Sequence, residues 1–124
     1  MTAPRQTVVV LGASPKPERF AHKAVLALTR HGHRVIPVHP RPGDIGGWPV
    51  TPDLSLIAEP VDTLTLYLGP GRSAEQTDAI LALAPGRVIL NPRTESDALQ
   101  AALDHAGIPW FHDCTLRMLE GGRF

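Results

Sequence analysis

The sequence predicts an α/β fold: one doubly wound sheet of about five parallel strands, with helices on both faces. Three observations carry that expectation. Apolar runs recur at Thr7 to Leu11, Arg34 to Val38, Thr63 to Leu68 and Arg87 to Leu90, with a shorter fifth at Pro109 to Phe111. Their Val, Ile and Leu content lacks a polar alternate face, as expected of strands buried on both sides of a parallel sheet. Helical patterns closed by glycine or proline separate the runs, and short units of this kind imply right-handed βαβ crossovers.

The first run leads into Gly12–Arg19, which reads as a phosphate-binding loop between strand and helix. A glycine there lets the chain turn sharply, and the following helix start offers unpaired N–H groups and a positive dipole end to an anion. Ser14 adds a hydroxyl, and Lys16 and Arg19 add charge. Ala21, Ala24, Val25 and Leu28 then form a helical stripe that ends at Arg30 and His31 before Gly32. Between Arg41 and Pro60 the pattern is least regular. Thr51 and Pro52 there suggest an N-cap and first residue of one helical turn reaching Leu56 to Ala58. Ser73 with Gln76 suggests a capping box opening a helix through about Leu83, stopped by Pro85 and Gly86. Leu99, Ala102, Leu103 and Ala106 repeat the stripe and close at Gly107.

At 124 residues the chain has room for one domain, spanning 1–124, and 43% apolar against 19% charged residues excludes the composition of a disordered chain. Twelve basic and twelve acidic side chains balance, which argues against nucleic acid or an anionic membrane as partner and makes any anion site local. Neither a membrane-spanning stretch nor a secretory signal is expected. The lone Cys114 cannot form an internal disulfide, in keeping with a reducing, cytoplasmic setting. The six histidines form no metal signature.

Ligands of doubly wound sheets bind at the carboxyl ends of the strands, at the topological switch point. That rim should carry Gly12 to Arg19, His39 to Arg41, Gly69 to Ser73 and Asn91 to Thr94. The usual dinucleotide fingerprint is incomplete: Ser14 replaces the second glycine, and no carboxylate follows the second strand until Asp44. His39 and Arg41 stand there instead, which favours a ligand with extra phosphate, such as CoA or NADP, over NAD.

The run Gly12–Arg19, the helix to His31–His33 and the block Val35–Pro40 together resemble the stand-alone CoA-binding domain family, which is similar to the nucleotide-binding domain of the succinyl-CoA synthetase alpha subunit. Val61 and Asp62 match a Val-Asp pair of that family. Leu90–Glu95, Asp113–Leu116 and Gly122–Phe124 resemble one of its branches. The resemblance covers nearly the whole chain and implies a Rossmann-like fold that holds CoA or an acyl-CoA. By the same resemblance Gly12, Ala13 and Ser14 approach the pyrophosphate, and Lys16 and Arg19 neutralise phosphates. His39 and Pro40 border the adenosine end, and Gly69 and Arg72 lie near the adenine or the pantetheine exit. His39 stands where the family usually has Asn, His33 where it has Tyr, and Arg93 where this branch has Gly; Arg93 would add a phosphate contact or block a channel.

No acid, base and nucleophile set stands out, so the expected function is binding without chemistry of its own. The alternatives are an NADP-linked or CoA-transferring enzyme subunit acting with a partner chain, and a protein interaction module with a vestigial nucleotide site. A protein partner or a homodimer is compatible with all three. Cys114 could act as a nucleophile with His112 if both faced one side of a strand, although a buried structural role is the more ordinary one. Trp48 and Trp110 read as core or loop anchors rather than a stacking platform.

Overall fold

Along β1 (Thr7–Leu11), Val9 and Leu11 enter one apolar cluster and Val8 and Val10 enter another, so the strand is buried on both faces. In the computed structural model, which describes residues 4–124, the strands Arg34–Val38, Thr63–Leu66 and Arg87–Leu90 are buried in the same way, whereas the edge strand Trp110–His112 is only partly covered. The chain runs through α1 (Phe20–Arg30), β2 (Arg34–Val38), β3 (Asp44–Ile45), β4 (Trp48–Pro49) and a 3₁₀ turn (Leu54–Leu56). It continues through β5 (Thr63–Leu66), α2 (Pro70–Leu83), β6 (Arg87–Leu90), α3 (Asp97–Ala106), β7 (Trp110–His112) and α4 (Thr115–Glu120).

The main sheet is parallel, five-stranded and ordered β2-β1-β5-β6-β7. Helices α1 and α4 pack on one face, and α2 and α3 on the other. The expected doubly wound architecture is therefore the observed one. Strand order reverses between β1 and β5, which puts the switch point beside the loop that follows β1. Pro37 has no N–H to donate, and it sits in β2, an edge strand where that costs least.

Three local expectations are corrected. Helix α2 begins at Pro70, with Gly69 as N-cap and proline at a position where its missing N–H costs nothing; Ser73 lies inside the first turn and donates its hydroxyl to the Pro70 carbonyl. Thr51 does not cap a helix. It bridges Val38 at the sheet edge, donating its N–H to Pro37 and accepting from His39, and Asp53 caps the 3₁₀ turn by accepting from the Ser55 N–H. His112 ends β7 and Cys114 caps α4, so the two do not share one face of a strand.

The β3–β4 hairpin and α4 were not anticipated. The hairpin is fastened to α1 by burial of Ile45 and by the Trp48 indole N–H, which donates to the Thr29 hydroxyl at 2.8 Å. Trp110 anchors in the same way, donating to Asp104 at 2.7 Å. At the end of the sheet opposite the carboxyl rim, Arg34 pairs with Glu59 through two hydrogen bonds. His33 is buried there against the Phe124 ring, 5.1 Å between centroids, and its Nδ1 accepts the Gln6 N–H. Burial, and then the charges of His31 and Arg87, hold the His33 pKa below its ordinary value.

Candidate functional site

A cleft of ≈ 910 Å³ opens along the carboxyl ends of β2, β1, β5 and β6. It is built from the loop after each strand. All nine residues singled out from the sequence line it: Gly12, Ala13, Ser14, Lys16, Arg19, His39, Pro40, Gly69 and Arg72.

Gly12 sets the shape of the floor. Its φ is +92°, a conformation that side-chain-bearing residues rarely adopt, and a Cβ there would stand 2.9 Å from Leu68 Cδ2 and 3.0 Å from the Tyr67 carbonyl carbon. The loop after β1 can therefore lie directly on the loop after β5, where the Tyr67 N–H donates to the Leu11 carbonyl at 2.9 Å. Beyond Gly12 the chain is held by its own polar groups. The Ser14 hydroxyl accepts the Lys16 N–H at 3.1 Å, an arrangement that ties the loop rather than leaving the hydroxyl free. The Lys16 carbonyl accepts the Arg19 N–H, also at 3.1 Å.

Helix α1 starts with no side-chain cap at Arg19, so its opening N–H groups face the cleft region without a protein acceptor of that kind. The helix runs eleven residues and presents its positive end to the same space. Lys16 and Arg19 are exposed and lie outside both ion pairs found among the described residues, Arg34–Glu59 and Arg123–Asp113. Free cations, a helix start and a close-packed glycine turn together suit an anion with several oxygens.

At the β2 end, the His39 Nδ1 accepts the Arg41 N–H at 3.1 Å, so that ring is turned to the backbone on one side and to the cleft on the other. At the β5 end Gly69 and Arg72 open α2, and Gln76 and Glu75 continue its wall. At the β6 end Pro92, Arg93 and Thr94 close the cleft.

Two contributors, His22 and Tyr67, escaped the sequence reading, and a third, Asn91, was expected on the rim but without the role it has. His22, in the first turn of α1, bonds to the Ser14 carbonyl at 2.9 Å and so positions the loop. No local pattern marks such a residue, because its partner is reached only once the loop has folded back. Asn91 is buried: its side-chain NH₂ donates to the Thr65 hydroxyl and the Leu66 carbonyl, and its side-chain Oδ1 accepts the Thr115 N–H. Tyr67 lines the cleft, while its hydroxyl is buried beside Thr65 and Thr115, neither of which is placed to form a well-aligned hydrogen bond with it. Burial pushes that phenol's pKa well above its ordinary value, opposed more weakly by the neighbouring hydroxyls.

Among the described residues that line the cleft, no hydroxyl is hydrogen-bonded to a histidine ring or a carboxylate. Cys114 lies outside the cleft and half-buried, with its N–H on the Asp113 carboxylate at 2.7 Å. The Arg123 ion pair, followed by that N–H, holds the Asp113 carboxyl below the usual range. No group of three or more His, Cys, Asp or Glu among the described residues could hold a metal ion. Nor is any described helix long and apolar enough to cross a membrane.

Residues 6–120 match the family described as a CoA binding domain. Solved structures share the fold. A crystal structure of an uncharacterized protein is 38% identical and superposes with a TM-score of 0.92, covering 98% of this chain and all of the other (100%). A Thermus thermophilus protein is 33% identical, with a TM-score of 0.89 over 97% of this chain and 91% of its own. The fold alone extends to a dinucleotide-forming acetyl-coenzyme A synthetase of Ca. Korarchaeum cryptofilum, 16% identical with a TM-score of 0.75. There the match covers 86% of this chain and 25% of the larger one. No curated protein matches the sequence closely enough to count as a relative. The chain belongs to the CoA-binding domain family.

Proposed function

We propose that this protein binds CoA or an acyl-CoA in the cleft at the carboxyl end of its sheet, with the pyrophosphate on the Gly12–Arg19 loop. The observation that carries this reading is the coincidence, at the switch point, of a glycine turn with no room for a side chain, an uncapped helix start and two unpaired cations. In the proposed pose Gly12, Ala13 and Ser14 lie against the pyrophosphate, while Lys16 and Arg19 neutralise it. His39 and Pro40 border the adenosine, and Gly69 and Arg72 flank the path of the pantetheine arm. His39 and Arg41, not a carboxylate, stand directly after β2, and the Asp53 carboxylate that lines the cleft near them accepts the Ser55 N–H, which favours CoA over NAD.

A thermal-shift panel of CoA, acetyl-CoA, NADP, NAD and ATP tests the reading. Ligand at about 100 times its Kd stabilises a fold by roughly 2.7 kcal/mol, and for a chain of this length that raises the melting temperature by about 10 °C. CoA and acetyl-CoA should produce the shift. A shift with NADP and none with CoA would overturn the assignment in favour of a reductase-like subunit, and no shift with any nucleotide would leave an interaction module as the better account.

A further inference from the structure

Arg93 is out of keeping with its own backbone. It sits at φ +73°, in the left-handed region where a side chain costs energy and glycine does not, and it is one of two such non-glycine residues among those described, with Ala84. Ala84 closes a helix, a site where that conformation recurs. Arg93 is the third residue of the turn that the Thr94 N–H closes on the Asn91 carbonyl behind Pro92, a position whose usual occupant is glycine. It lies in the turn after β6 and its residue lines the cleft.

The turn is fixed from below. Thr94 donates its hydroxyl to the Asn91 carbonyl at 2.6 Å, Asn91 is itself locked to Thr65 and Leu66, and the Glu95 carboxylate accepts the Arg93 N–H at 3.3 Å. Glu95 therefore holds the backbone of Arg93, and the Arg93 guanidinium takes part in neither ion pair among the described residues. An exposed cation on a rigid, strained turn at a cleft rim is poised for an anion that the protein does not itself provide.

Its place in the strand order says which anion. From the loop after β1 to the turn after β6 is two strands, β1-β5-β6, or about 10 Å along the rim at the usual strand spacing. In the proposed pose Lys16 and Arg19 already neutralise the pyrophosphate at the β1 loop, which leaves Arg93, two strands along the same cleft, for a group further along the ligand. With adenosine toward β2, the pantetheine arm crosses β5 toward β6 and delivers the thioester end there. We infer, resting on the function proposed above, that Arg93 binds a carboxylate on the acyl group, so that the preferred ligand is a CoA thioester of a dicarboxylic acid.

Titration calorimetry with free CoA, acetyl-CoA and succinyl-CoA, on the native protein and on Arg93→Gly, tests this. Glycine suits the local φ, so the variant keeps the turn. The native protein should bind succinyl-CoA about tenfold more tightly than acetyl-CoA, the least expected of one charge-assisted hydrogen bond. Arg93→Gly should bring that ratio to about one by weakening succinyl-CoA; an equal loss of affinity for free CoA would make Arg93 a phosphate contact and overturn the inference. If CoA binds but succinyl-CoA is no tighter than acetyl-CoA, the inference fails and the CoA reading stands. If the preference survives in Arg93→Gly, Arg93 is not its source. If none of the three binds, the proposed function fails and this inference with it.

Discussion

The close approach of two loops at the switch point can be measured by comparing two glycines. Gly12 has φ +92° and Gly32 has φ +86°, so replacing either by alanine imposes nearly the same backbone strain, about 1 kcal/mol. Their surroundings differ. A Cβ at Gly32 meets nothing within 4 Å, whereas at Gly12 it meets Leu68 Cδ2 at 2.9 Å and the Tyr67 carbonyl carbon at 3.0 Å. The Leu68 tip can swing away, but the Tyr67 backbone is pinned by its bond to the Leu11 carbonyl. Forcing those loops apart should add about 1–3 kcal/mol, the usual cost of overpacking. With unfolding entropy near 2.1 cal/mol/K per residue, each kcal/mol corresponds to roughly 4 °C for a chain of this length. Gly32→Ala should therefore melt about 4 °C below the native protein, and Gly12→Ala about 8–16 °C below it, by calorimetry or circular dichroism. Gly12→Ala should also weaken CoA, and Gly32→Ala should not. Equal losses in melting temperature would refute the argument, because they would mean that the two loops are free to part.

Lys16→Ala combined with Arg19→Ala removes exposed charge, so its melting temperature should stay within about 2 °C of native, while CoA affinity falls about 10- to 100-fold; unchanged affinity in calorimetry would remove the pyrophosphate from this loop. Tyr67→Phe deletes a buried hydroxyl that has no well-aligned partner, and relieving about 1 kcal/mol should raise the melting temperature by roughly 4 °C. A lower melting temperature would mean that the hydroxyl is bonded after all. His33 is buried neutral and its folded pKa lies below the ordinary value. The unfolded chain takes up this proton near pH 6.5 and the folded chain only at lower pH, so stability is complete above that point and declines as pH falls, by at most about 1.4 kcal/mol per pH unit. Denaturant midpoints from pH 7.5 to 5 should trace this decline, and His33→Gln should flatten it; an unchanged slope would exonerate His33.

The sheet was legible because burial on both faces removes ambiguity. Val8, Val9 and Val10 can be consecutive and apolar only where each has a core to enter, and helices α1 and α3 carried stripes that ended at glycine. Elements whose form depends on distant partners were not legible. Two-residue strands such as Asp44–Ile45 and Trp48–Pro49 have no periodicity to read, and what fixes them is Trp48 reaching back to Thr29. Thr51 carries a cap-like sequence, yet the open edge of β2 at Pro37 offered its backbone a better partner. Ser73 and Gln76 imitate a capping box, but Gly69 and Pro70 start the helix one turn earlier. Proline at the first helical position was the signal that should have decided the matter.

The cleft divides the same way. Its cations and glycines follow from the strand-to-loop rhythm, because any residue just after β1, β2, β5 or β6 is delivered to one rim. What orients them is non-local. His22 bonds to Ser14 across eight residues, and Asn91 joins β6 to β5 and to the start of α4. The two positive-φ residues of the rim, Gly12 and Arg93, mark the difference between these layers. At Gly12 the sequence chose the residue that makes the turn free and leaves the space empty. At Arg93 it kept a charged side chain where glycine would relieve the backbone, and a strained cation facing a cleft is better explained by what it binds than by the fold it destabilises.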